Sequence, residues 1–209
     1  MSSSIAEWIS AGSDVAQSLA VLVGLYLAYK GFDQWKRQHN WTRNSELAEE
    51  TMLSVNAYRH AVARIRNPFG YVGEGSTRVS GEGESDQRKQ HLDSAFTTIE
   101  RISKEERVLS RYWDADARCR VRFGSRVTPY LDAIRDVQRD IVRAARMRFE
   151  DALHEYPLDD AEINKDRKEM RQIYWDRGTD QVPDDIQKRI NDAMKGLETA
   201  LKAYVHEAP

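Results

Sequence analysis

Arginine is concentrated in one part of this chain. Residues 111–148 contain ten Arg and five Asp, whereas residues 149–209 contain nine basic and fifteen acidic side chains. Guanidinium groups bind phosphates and carboxylates through paired hydrogen bonds. If helices on either side of Gly124 form a hairpin, their arginines meet near one surface. The predicted patch for an anionic ligand or an acidic partner consists of Arg118, Arg120, Arg122, Arg126, Arg143, Arg146 and Arg148.

Local ion pairs are the competing explanation for these arginines. Aspartates precede three of the arginines by three residues, a spacing that forms ion pairs on the solvated face of a helix. The acidic last sixty residues offer further partners. A pI of about 6.2 and the lack of interleaved aromatic residues argue against nucleic acid as the ligand. The three local pairs are Asp132–Arg135, Asp136–Arg139 and Asp140–Arg143.

Catalytic and metal-binding patterns are missing from the sequence. The five His are scattered, and no His-Glu-x-x-His or Cys-x-x-Cys motif occurs. A di-iron bundle needs Glu-x-x-His on two helices, and the chain offers only the imperfect Asp151-x-x-His154. Cys119, the one cysteine, is expected to be a small buried apolar residue in a reducing compartment. We therefore predict a non-enzymatic protein without cofactor or metal.

One apolar stretch near the start resembles a membrane span. Residues 15–32 contain a single charged residue, Lys30, and their eighteen residues are just enough to cross a thin bilayer. A core or interfacial helix is the alternative. Aromatic residues flank the stretch as in a membrane interface, and basic residues follow it while none precede it. This asymmetry predicts a membrane protein with its N-terminus outside and residues 33–209 in the cytoplasm.

Small residues follow one face of this predicted span. Ala16, Ala20, Gly24 and Ala28 are each four apart, a pattern that lets helix backbones approach closely in lipid. Chance is the alternative explanation, because Ala and Gly are common in such helices. The stripe raises the hypothesis of self-association through the transmembrane helix.

Apolar residues after the span recur at helical spacing. They predict amphipathic helices over about 44–66, 87–122, 129–156, 159–174 and from 183 onward. Asn67-Pro68 ends the first of these helices, and the Gly-rich residues 68–86 predict a mobile loop. The predicted fold class is all-α, an N-terminal transmembrane helix followed by an antiparallel bundle of about four long helices. The predicted domains are residues 1–32 and 33–209.

Two short motifs carry a resemblance. They are Tyr29-Lys30-Gly31-Phe32-Asp33-Gln34-Trp35-Lys36-Arg37-Gln38 and Ile65-Arg66-Asn67-Pro68-Phe69. Over residues 15–70 the chain resembles bacterial single-pass membrane proteins that have an N-terminal anchor and a cytoplasmic helical domain. The resemblance implies a bacterial origin and an anchor, and it implies no activity.

These observations favour a membrane-anchored interaction or scaffold module. Its partners would be membrane lipid and a protein, or a second copy of the chain. Two alternatives remain open. One is a membrane-disrupting effector that oligomerises through its transmembrane helix, and the other is a sensor of an anionic ligand at the arginine patch.

Overall fold

The computed structural model describes residues 2–154, 161–176 and 184–205, and it confirms the predicted all-α class because these residues form helices and no strands. Of residues 2–18, 20, 161–163 and 205 only the backbone is described. The chain divides into two compact units, Met1–Ser45 and Glu46–Glu207. The helices are α1 (Ser2–Ile65), α2 (Asp86–Lys104), α3 (Glu106–Phe123), α4 (Thr128–His154), α5 (Ala161–Tyr174) and α6 (Asp185–Val205), with one 3-10 turn at Gly124–Arg126.

The apolar stretch of the first unit lies open on every side of its helix. All described side chains from Val21 to Phe32 are exposed. Ten large apolar side chains of this unit have exposed fractions between 53% and 73%. They are Leu19, Val21, Leu22, Val23, Leu25, Tyr26, Leu27, Tyr29, Phe32 and Trp35.

Among the described residues, no helix combines the length and the apolar character that crossing a bilayer requires.

The second unit is a helical bundle built on the predicted apolar stripes. Its core contains Val55 and Tyr58 from α1, Ile134 from α4 and Leu197 from α6, all with no exposed surface. Residues three or four apart on one helix share a face, so each stripe turns its apolar side towards the neighbouring helices. The stripes identified in the sequence therefore meet in one core.

Cross-helix contacts show that neighbouring helices of the second unit run antiparallel. In each pair of helices, a residue further along one helix contacts a residue earlier in the other. The contacts are Glu50–Arg118 between α1 and α3, Arg64–Glu105 between α1 and the residue just before α3, Asp116–Arg135 and Arg120–Asp132 between α3 and α4, and Asp140–Arg189 and Tyr130–Gly196 between α4 and α6.

The prediction of one helix over 87–122 is wrong, because the chain leaves helical geometry at Glu105. Its φ of −89° and ψ of 4° interrupt the helix, and its N–H donates back to the carbonyls of Arg101 and Ser103. The Glu105 carboxylate accepts two hydrogen bonds from Arg64 of α1, at 2.6 and 2.8 Å. No Gly or Pro lies near this position, so the sequence contains no local helix breaker there.

Two buried arginines bind the Gly-rich segment that joins α1 to α2. Arg78 forms ion pairs with Glu84 and Asp93. Arg101 of α2 donates to both oxygens of the Glu74 carboxylate, at 3.1 and 2.6 Å, and also to the carbonyls of Asn67 and Phe69. Glu74 and Glu84 of this segment thus have arginine partners within the chain. The mobility predicted for residues 68–86 stays a prediction.

The carboxylate of Glu84 makes this segment sensitive to acid. Its hydrogen bonds with Arg78 lower its pKa from 4.5 to about 2. Because the folded-state pKa is the lower one, the ion pair stabilises the fold above pH 4.5 and that contribution is lost as the pH falls towards 2. We expect Glu84→Gln to lower the urea midpoint at about pH 5, and we expect this difference from wild type to shrink towards about pH 2.

The control for this prediction is the exposed neighbour Glu82, which has the same side-chain chemistry two residues earlier. Glu82→Gln is expected to leave the urea midpoint close to wild type throughout the acid titration. A constant difference between Glu84→Gln and wild type from about pH 5 to about pH 2 would contradict the assignment, since it would not follow the protonation of this carboxylate.

Candidate binding groove

A groove of about 540 Å³ runs along α4 and faces one residue of α3. We call it the α4 groove. Its half-buried lining consists of Trp113, Gln138, Val142 and Met147. Its exposed lining consists of Arg135, Arg139, Arg143, Arg146 and Glu150. The volume falls within the range of small-ligand and peptide pockets, and an apolar lining with a few charged groups is typical of binding sites.

Spacing along α4 produces this row of arginines. Residues 135, 139, 143 and 146 follow one another at intervals of four, four and three, so their side chains share one face of the helix. Val142 and Met147 lie between them, and Trp113 of α3 closes one side. The groove therefore combines a cationic edge with an apolar surface.

Buried Asp116 fixes the α3 side of the groove. Its side chain is 2% exposed, and its Oδ2 accepts hydrogen bonds from Arg120 at 2.9 Å and Arg135 at 3.0 Å. The first of these bonds raises the pKa of Arg120. The guanidinium of Arg135 also lies 5.2 Å from the ring centroid of Trp113, a cation–π contact. Arg135 and Trp113 are thus held in place beside the apolar lining.

The other arginines of the row differ in how they are paired. Arg139 forms an exposed ion pair with Asp136. For Arg143 and Arg146 no carboxylate lies within ion-pair distance in the part of the chain that the structure describes. Of the three predicted local pairs, only Asp136–Arg139 forms among the described residues, since Asp132 pairs with Arg120 and Asp140 with Arg189.

Gln138 has an unpaired buried polar atom. Its Oε1 accepts no hydrogen bond from any described residue, and Gln138 lines a second, interior cavity with Tyr58, Val62 and Ile65 as well as the α4 groove. A buried amide oxygen without a donor is costly, by about 1–3 kcal/mol.

The structure places two of the seven arginines predicted from the sequence in one groove, and a single patch of all seven stays a prediction. Arg143 and Arg146 lie together in the α4 groove, whereas none of the other five belongs to its lining. Burial lowers the pKa of Arg148, whose guanidinium lies 4.9 Å from the Tyr174 ring and 5.5 Å from the Trp175 ring. The remaining four are Arg118 paired with Glu50, Arg120 with Asp116 and Asp132, Arg126 bonded to the Tyr204 hydroxyl, and exposed Arg122.

Seven of the nine residues that line the α4 groove were absent from the predicted patch. Local ion pairs are the competing explanation that the sequence offers for Arg135 and Arg139. Trp113 was counted only as a member of an apolar stripe, and Gln138 had no sequence feature that marked it. The spacing 135, 139, 143 and 146 was the available indication of a single cationic face.

The predicted transmembrane stripe is only partly described. Gly24 has open space where a side chain would be, and Ala28 is exposed. The side chains of Ala16 and Ala20 lie outside the described ones. Self-association through these four residues stays a prediction.

Metal ligands and relatives give no further lead. Among the described residues, no group of three or more His, Cys, Asp or Glu side chains is placed to hold a metal ion. Comparison of this chain with protein families, curated proteins and solved structures finds no match. The functional inference therefore depends on the chain's own surfaces.

Proposed function

We propose that this protein is a membrane-anchored, non-enzymatic interaction module. Residues 15–32 insert into a bacterial inner membrane, and the helical unit that begins at Glu46 offers the α4 groove to a partner in the cytoplasm. The single observation that carries the proposal is the run of large apolar side chains exposed around the helix of the first unit.

Water is a poor environment for that run. Each exposed apolar side chain costs about 25 cal/mol for every Å² that remains in contact with water. A helix that is apolar all round is typical of a segment buried in a core or in lipid. Lipid supplies such an environment, and residues 15–32 have the length for it when Val15–Ser18 and Ala20, whose side chains are not described, are counted.

Charge supports an orientation for the anchor. Lys30, Lys36, Arg37 and Arg43 follow the apolar run, and residues 1–29 contain no Lys or Arg. Basic residues next to a span stay on the cytoplasmic side. Exposed Phe32 and Trp35 are suited to the interface between lipid and water. This arrangement favours an N-terminus outside and a helical unit in the cytoplasm.

Binding rather than catalysis is the chemistry that the groove supports. Its lining offers guanidinium groups and apolar surface, which recognise acidic and apolar groups together. The one thiol of the chain, Cys119, is buried in the core, and burial raises its pKa, which disfavours the nucleophilic thiolate.

Membrane fractionation of cells that express the full chain tests the anchor. We expect the protein in the membrane pellet after carbonate extraction. The double substitution Leu22→Arg and Leu25→Arg is expected to move most of it to the supernatant, because each Arg at the centre of a span costs about 2.5–3.5 kcal/mol. Val121→Arg is the matched control, since Val121 is also apolar and is 90% exposed, outside the run.

Two results would contradict the proposal. One is wild-type protein in the supernatant. The other is a C-terminal reporter that is active only in the periplasm, which would reverse the predicted orientation.

A further inference from the structure

We infer that the α4 groove binds an acidic amphipathic helix of a partner protein. This inference names the partner of the proposed interaction module and rests on that proposed function. It follows from two observations on the groove, namely the spacing of its arginines and its apolar lining.

The arginine row is long and regular. From Arg135 to Arg146 it spans roughly 16 Å along α4, at about 1.5 Å per residue. Carboxylates four residues apart on a second helix repeat at about 6 Å, which is the repeat of Arg135, Arg139 and Arg143. A small anion would neutralise one or two of these groups, whereas a helix with acidic residues every three or four positions reaches the whole row. Arg143 and Arg146, which lack carboxylate partners among the described residues, are available to it.

The apolar lining gives such a helix a surface to bury. Trp113, Val142 and Met147 lie between and beside the arginines, so Leu-type side chains on the partner meet them while its acidic residues stay at the edge. Apolar residues at intervals of three and four are the way that amphipathic helices enter grooves. Trp, Met and Arg are also enriched in protein interfaces. The groove thus selects for a partner helix with acidic edges and an apolar centre.

The test measures binding of a synthetic peptide to the full chain in mild detergent. The probe is a labelled helical peptide of about 18 residues, or roughly five turns, with Leu on one face and Glu on its flanks. A second peptide has Lys in place of each Glu. We expect at least about tenfold weaker binding of the Lys peptide, since a loss of about 1.4 kcal/mol is tenfold in Kd.

Substitutions in the protein locate the binding. The double substitution Arg143→Ala and Arg146→Ala is expected to raise the Kd of the Glu peptide at least about tenfold. Both side chains are exposed, so the fold does not depend on them. The matched control is the double substitution Arg107→Ala and Arg111→Ala. Both arginines are exposed on α3 outside the groove, so we expect this variant to change the Kd less than about twofold.

Several outcomes would overturn the inference. Equal binding of the Glu and Lys peptides would do so, and so would an unchanged Kd in the Arg143 and Arg146 variant. Displacement of the peptide by pyrophosphate, but not by chloride at the same ionic strength, would make the groove a small-anion site. Concentration-dependent self-association that blocks the peptide would make it a contact between copies of the chain. None of these outcomes affects the membrane fractionation, so the two proposals fail separately.

Discussion

Replacing Arg66 with Met is expected to lower the free energy of unfolding of the helical bundle by about 3–5 kcal/mol. Arg66 has no exposed surface and joins three parts of the chain. It donates to the carbonyls of Gln172, Ile173 and Trp175 at the end of α5, and to both oxygens of the Asp184 carboxylate just before α6. Met fills similar space but cannot donate hydrogen bonds. The three carbonyls and the charged carboxylate of Asp184 therefore lose this donor.

Urea unfolding of the full chain in detergent, followed by near-ultraviolet circular dichroism, measures this effect. The control is Arg64→Met, two residues earlier in the last turn of α1, whose ion pair with Glu105 is formed by a guanidinium that is 56% exposed. An ion pair of that kind contributes less than about 1 kcal/mol. Arg66→Lys should fall between the two variants, because Lys keeps the charge but loses the planar fork that reaches several acceptors. Equal effects of Arg64→Met and Arg66→Met would refute the role assigned to Arg66.

The helices were predictable from the sequence because their apolar residues recur at helical spacing. Tyr58, Ile134 and Leu197, each three or four residues from another apolar residue, lie in the core. The contacts of Arg66 were not predictable, since its partners lie more than one hundred residues further along the chain. The helix break at Glu105 was not predictable for the same reason. Its carboxylate pairs with Arg64 of α1, which is distant in sequence, and no Gly or Pro near Glu105 indicates a break.

The candidate site was predictable in part for a related reason. Local sequence showed that arginines are dense around α4, and it also showed nearby aspartates. Which arginines lack a carboxylate partner depends on the ion pair that each aspartate forms in the fold. Asp132 pairs with Arg120 and Asp140 with Arg189, and neither pairs with the arginine three residues after it. Because Asp140 pairs with Arg189, Arg143 has no carboxylate partner among the described residues.

Gly75 packs closely against the backbone of α2. Its φ is +83°, and a Cβ at this position would lie 1.8 Å from the carbonyl oxygen of Asp93 in α2. Its N–H donates to the buried carboxylate of Glu100. The pKa of Glu100 is lowered mainly by the hydrogen bond from Lys104 and to a smaller extent by this N–H. Glycine at position 75 therefore allows the left-handed backbone and leaves room for the contact with Asp93. It also donates a hydrogen bond to the buried carboxylate of Glu100.

Gly75→Ala is expected to lower the free energy of unfolding by about 2–5 kcal/mol, since a left-handed residue costs about 1–2 kcal/mol and the overlap with a backbone oxygen about 1–3 kcal/mol more. Gly73→Ala is the matched control. Its φ of +86° is nearly the same, but a Cβ there meets nothing within 4 Å, so only the conformational cost applies. Urea unfolding of both variants measures the difference, which isolates the contact with α2. A Gly73→Ala variant as unstable as Gly75→Ala would show that α2 does not approach this glycine so closely.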